Sequence, residues 1–171
     1  DYLSLIESRS PNAGYAGVLV YMLNVSDEKR QIADQVAGSL GVRRFSIKPD
    51  QKMEHVRSGQ LADCQYPGVE EWLQGFRDAR FVVTDSFHGC VFAIIFNKPF
   101  IALDNPVRGT SRISSILRMF GLEERLAGAP GPAIEQLLSE PIDWEYVNRV
   151  RALKSAEGKE FLTSSIGMKN G

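Results

Sequence analysis

The run Ala16-Gly17-Val18-Leu19-Val20-Tyr21-Met22-Leu23 has the length of a strand and no charged residue at either alternate set of positions. A strand buried on both faces belongs to a parallel sheet covered by helices, and few other folds accept one. The next segment agrees. Ser26 supplies an N-cap, Asp27-Glu28 an acidic first turn, and Ile32, Ala33, Val36, Ala37 and Leu40 recur at helical spacing before Gly41 stops the helix. Val42 to Ile47 reads as a second short strand, less buried because it carries Arg43 and Arg44. Lys48 to Pro67 lacks sustained periodicity and reads as loop, with His55 in it; Val69 to Phe76 is a helix entered through Pro67 and Gly68.

The alternation continues with strands at Phe81 to Thr84 and Phe100 to Leu103. Between them, His88 to Phe96 is apolar in succession from Val91 onward, which predicts a helix in the packed interior, ended by Asn97-Lys98-Pro99. A helix from Thr110 to Phe120 is closed by Gly121, and Leu122 to Pro132 reads as loop. A short helix over Ala133 to Ser139 follows, then a longer helical stretch from Asp143 to Ile166, interrupted by Gly158. Strands and helices in alternation with short links predict right-handed βαβ units, hence an α/β fold with a Rossmann-like parallel sheet and flanking helices. The expected organisation is an N-terminal connector over residues 1–15 and a single Rossmann-like domain over 16–171. Because the sequence opens at Asp1 rather than at a methionine, it is expected to be a piece of a longer protein.

Charge and cysteine content narrow the partners. With 20 Lys+Arg against 21 Asp+Glu, a broad electrostatic grip on nucleic acid is not expected. Two cysteines, Cys64 and Cys90, are too few for a disulfide framework or a zinc cage, so a reducing, cytoplasmic setting is the default. No metal-ligand spacing occurs, and no apolar run reaches the roughly 18 residues of a membrane span.

In parallel sheets, ligands sit beyond the carboxyl ends of the strands, which singles out the turns after Thr84 and after Leu103. The first, Asp85-Ser86-Phe87-His88-Gly89-Cys90, feeds a buried helix through polar residues. Its free N–H groups and positive dipole suit a phosphate or carboxylate, Asp85 or Ser86 is placed to cap, and Gly89 leaves room for close approach. His88 and Cys90 diverge by about 200° on a helix, so they do not form a nucleophile pair, and Cys90 reads as structural. The second turn, Asp104-Asn105-Pro106-Val107-Arg108-Gly109-Thr110-Ser111-Arg112, puts hydroxyls and two guanidinium groups around a helix start, again apt for an anion.

These residues carry a resemblance. Phe81-Val82-Val83-Thr84-Asp85-Ser86-Phe87-His88-Gly89-Cys90-Val91-Phe92-Ala93-Ile94-Ile95-Phe96-Asn97-Lys98-Pro99-Phe100 resembles the hallmark block of the polysaccharide pyruvyl transferase family. Val18 to Asn24 resembles the family's preceding strand, Glu71-Trp72-Leu73 the helix before the block, and Arg108 to Ile113 the turn after it. The resemblance implies the C-terminal half of a fold like a GT-B glycosyltransferase, with the active site in a cleft closed by an N-terminal domain missing from this chain. It implies a bacterial enzyme of exopolysaccharide or capsule assembly. The pyruvyl group would pass from phosphoenolpyruvate, a donor substrate used without a cofactor, to a sugar or lipid-linked saccharide as a ketal. The setting would be cytoplasmic, with peripheral association at the inner membrane. His88 matches the motif histidine and is expected to do the acid/base work. Ser86, Phe87 and Gly89 would shape the donor pocket, and Arg108, Gly109 and Arg112 would hold phosphate or carboxylate. Where relatives often carry an arginine two positions before the histidine, this chain has Ser86, so Arg43, Arg44 or the missing half become further cationic candidates. A glycosyltransferase using a nucleotide-sugar, with Asp104 or Asp85 as the ribose carboxylate, and a non-catalytic binding relative are the competing readings.

Overall fold

The fully apolar runs build the centre of the sheet. In the computed structural model, which describes residues 3–48, 66–107 and 110–167, β3 (Phe81–Thr84) and β4 (Phe100–Leu103) are buried at every position. They pair in parallel with each other and with β1 (Val18–Tyr21) and β5 (Leu126–Ala127) on either side, while β2 (Arg44–Phe45) pairs with β1 at the edge. The strand order is β2-β1-β3-β4-β5. Alternate residues therefore serve two separate cores.

On one face, Val18, Phe81, Val83, Ile101 and Leu103 meet Ile32, Ala33 and Val36 of α1 (Asp27–Leu40) and Ile134 and Leu137 of α5 (Pro132–Ser139). On the other face, Leu19, Val82, Phe100 and Ala102 pack with four further helices. These are α2 (Val69–Asp78), α3 (Phe87–Ile95), α4 (Thr110–Phe120) and α6 (Trp144–Gly167). Tyr21, Trp72, Phe76 and Phe92 form an aromatic cluster there, with Trp72 and Phe92 ring centroids 4.7 Å apart. No helix among the described residues is long and apolar enough to cross a membrane.

Local signals account for most boundaries. The Ser26 Oγ accepts the Lys29 N–H at the start of α1, and Gly41 ends it at φ 63°, a conformation glycine adopts without strain. Asn97 takes the same role after α3 at φ 51°. Two expectations are corrected. The expected loop over Leu122 to Pro132 contains β5, a two-residue edge strand too short to show a period. The break expected at Gly158 does not occur: α6 runs through it, since one mid-helix glycine costs only about 1 kcal/mol and the Lys154–Glu157 ion pair spans the turn before it. The segment at residues 3–15 lies along α2. Ile6 is buried, its carbonyl and that of Arg9 accept from Arg77, and the Asn12 N–H donates to Asp78.

A buried cation fastens the far edge of the sheet. Arg125, 2% exposed, donates from Nη1 to the Leu137 carbonyl at 2.8 Å and from Nη2 to the Glu140 carbonyl at 2.7 Å. Those carbonyls end α5, where the helix dipole favours positive charge. Arg125→Met keeps the volume and leaves both acceptors without their donor. It should cost about 2–3 kcal/mol, read as a lower urea midpoint with an unchanged slope.

Candidate functional site

The strand order fixes where a ligand can enter. β1 connects outward to β2 while β3 lies on its other side, so the chain reverses direction at the β1/β3 boundary and opens a crevice at the carboxyl ends of those strands. Thr84, the last residue of β3, organises that edge. Its Oγ1 donates to the Tyr21 carbonyl at 2.6 Å and accepts the Ser86 N–H at 3.1 Å. Gly89, third in α3, sits directly over it: a Cβ there would lie 2.0 Å from Thr84 Oγ1 and 2.8 Å from Thr84 Cβ. The close approach that Gly89 permits is thus between helix and strand.

Ser86 occupies the N-cap position without a side-chain capping bond, and the first intrahelical bond runs from the Cys90 N–H to the Ser86 carbonyl. The N–H groups of Phe87, His88 and Gly89 precede that bond and form the open positive end of the helix. Asp85 does not cap α3. Its buried carboxylate turns back to β1, accepting the Leu23 N–H, the Asn24 N–H at 3.0 Å and the Lys29 ammonium at 2.6 Å. Asn105, 1% exposed, closes the third side: its Nδ2 donates to the Asp85 carbonyl and to Asn24 Oδ1, each at 3.2 Å.

Both turns singled out in the sequence meet here. A recess of about 160 Å³ is lined by Leu23, Asp85, Ser86, Phe87, His88, Asn105, Arg112 and Ile113. His88 is exposed at its mouth. Phe87 stands between the two charged or titratable groups: its ring lies 5.0 Å from the Arg112 guanidinium carbon and 5.6 Å, edge to face, from the His88 ring. An exposed imidazole, a guanidinium and three open N–H groups around one recess can bind an anion and move a proton beside it. A second recess of about 370 Å³ adjoins it across Asn105, with Ile32 and Leu103 in its walls and Glu28 and Asp104 among its polar groups.

The other candidates separate clearly. Arg108 and Gly109 lie outside the described residues, as do His55 and Cys64. Arg43 and Arg44 sit at the amino end of the sheet, where Arg43 bonds the Gly14 carbonyl and Arg44 pairs with Asp34 at 3.0 Å. They are not at the recess. Cys90 is fully buried, and burial pushes its thiol from 9.0 up to about 12. Among the described residues no group of His, Cys, Asp and Glu could hold a metal ion. Sequence reasoning missed the β1–α1 turn, and with it Lys29. The signal would have been strand order, which places the end of β1 beside that of β3 and which no local pattern records.

A family model described as polysaccharide pyruvyl transferase matches residues 7–106. That span holds β1 to β4, the Asp85 contacts and His88; Arg112 lies beyond it. A solved structure, "Crystal Structure Analysis of the Glycotransferase of kitacinnamycin", aligns at a TM-score of 0.51 and 17% identity, over 84% of this chain and 40% of that one. At that identity the likeness is one of fold, and the chain spans 40% of the length of that structure. No curated protein sequence matches.

Two outcomes follow from the packing. Gly89→Ala should destabilise the protein by about 1–3 kcal/mol, because neither the helix nor Thr84 can withdraw from the contact; urea unfolding reads it. In a Cys64→Ser background, Cys90 should resist iodoacetamide at pH 8 while folded and react once unfolded. Since its folded pKa is the higher one, its contribution to stability is complete below pH 9 and declines as pH rises toward 12.

Proposed function

This chain belongs to the polysaccharide pyruvyl transferase family, and from that premise we propose that it transfers the pyruvyl group of phosphoenolpyruvate to two hydroxyls of a saccharide. The products are a cyclic ketal and phosphate. The observation that carries this reading is the convergence of His88, Arg112 and the open end of α3 on one recess.

The chemistry asks for two things. The donor's phosphate and carboxylate need fixed positive partners, which Arg112 and the N–H groups of Phe87, His88 and Gly89 supply without reorganising. Two hydroxyl protons must also be moved: one reaches C3 of the enol, and the other leaves with phosphate. Two C–O bonds form at C2 as the bond from C2 to the phosphate oxygen breaks. An imidazole gains and loses a proton near neutral pH, so His88 takes the proton from the attacking hydroxyl and returns it to the enol carbon. Phe87 keeps the guanidinium and the imidazole apart and aimed at the same space. Ser86 leaves the N-terminal turn open by making no capping bond. A second domain outside this chain completes the cleft and brings the acceptor, an exopolysaccharide or capsule precursor, to the recess.

A nucleotide-sugar donor is the second reading, favoured by one observation: the larger recess joins aliphatic walls to Glu28 and Asp104, a setting that suits a base and its ribose. The two separate in one experiment on the intact protein. Phosphoenolpyruvate should shift the amide signals of His88, Gly89 and Arg112 while a UDP-sugar leaves them in place; the reverse preference would replace the first reading with the second. His88→Ala should lower turnover, followed by phosphate release, by about 10²–10⁴-fold with donor binding retained. Arg112→Gln should instead act mainly through a raised KM for phosphoenolpyruvate. Unchanged turnover in His88→Ala would remove the histidine from the mechanism.

A further inference from the structure

The wall of the recess contains a charge of the wrong sign. Asp85 lines it together with His88 and Arg112, yet its carboxylate is fully buried and cannot be screened by water. The fold requires an ion at that position. Both carboxylate oxygens are in use, one accepting the Leu23 N–H and the other the Asn24 N–H, and a neutral amide has only one oxygen to offer two such donors. The latch that holds the β1–α1 turn against α3 thus places a negative charge beside a site whose substrate, on the reading above, is a multiply charged anion.

Lys29 resolves the conflict. It is third in α1, approaches from the side of the larger recess, and its ammonium sits 2.6 Å from Asp85 Oδ2 and 3.0 Å from the Asn24 carbonyl, with 15% of its side chain exposed. Resting on the proposed donor, we propose that Lys29 is a specificity-determining residue: it neutralises the structural carboxylate so that a phosphate-bearing anion can occupy the recess next to it. The two functions of the pair are then separable. Asp85 holds the turns together, and Lys29 makes the result compatible with an anion. Arg112 and the α3 amino end attract the donor; Lys29 removes what would repel it.

The test uses the intact protein and its affinity for inorganic phosphate and phosphoenolpyruvate, by calorimetry, in wild type, Lys29→Met, Asp85→Asn and the double variant. Urea midpoints for each report the structural cost separately. Lys29→Met should weaken both anions by about 10–100-fold, the effect of exposing one unit charge about 6–12 Å away at an effective dielectric of about 20. Asp85→Asn, which leaves the ammonium unopposed, should bind both anions at least as tightly as wild type despite a lower urea midpoint. The double variant, neutral again, should return to within a few-fold of wild type. A purely structural latch gives a different order, with Asp85→Asn weakening anion binding as Lys29→Met does, and that order would overturn the proposal. If Lys29→Met does not fold, the direction of change in Asp85→Asn alone decides. Wild type that binds neither phosphate nor phosphoenolpyruvate would instead overturn the donor reading on which the proposal rests.

Discussion

Thr84 joins β1, β3 and α3 at the edge of the recess. Its hydroxyl bonds the carbonyl of Tyr21 and the N–H of Ser86, and its side chain fills the space that Gly89 leaves empty. A residue with a hydroxyl ties β1 to β3 and starts α3; a branched one gives Gly89 a surface to lie on. Because α3 is pressed this closely onto the strand end, its first turn projects from the sheet at a fixed angle, and His88 emerges at the mouth of the recess while Cys90 and Ala93 stay in the core. A helix whose interior half is this buried cannot rotate to adjust its exposed end. The geometry of the site is inherited from the packing of the core.

Much of this was written locally in the chain. The apolar run at 16–23, the Ser26 cap, the glycine stop at 41 and the buried strands at 81–84 and 100–103 each follow from period and terminal chemistry, and each appears in the structure. The two turns that the strand-end rule selected do form one recess. What stayed hidden was relational. β5 is two residues long and exists only because β4 offers it an edge. The role of Lys29 depends on which strand neighbours β1, and Arg43 and Arg44 were candidates only until the parallel register put them at the opposite end of the sheet. Gly89 was expected to admit a ligand; its bare face meets Thr84, a distinction that requires knowing which atoms lie above it.

The recess also divides its labour by burial. Asp85, Ser86 and Asn105 are nearly inaccessible, with Asn105 bonded to the Asp85 carbonyl and the Ser86 N–H to Thr84, while His88 and Arg112 stand in solvent with an aromatic ring between them. The buried groups are held by hydrogen bonds within the fold, and the exposed ones face the recess.

Most of the contacts that tie β1 to β3 at the recess are far apart in sequence. Asp85 reaches back 62, 61 and 56 residues to Leu23, Asn24 and Lys29, and Thr84 reaches back 63 to Tyr21. Closing loops of that length is entropically slow, and parallel pairing offers no hairpin to start from. Helices can therefore form before the recess exists. It requires β1 and β3 to be aligned in register. Any anion that binds there acts on the finished state alone and withdraws it from the unfolding equilibrium. Occupancy of the recess then bears on how long the folded chain survives.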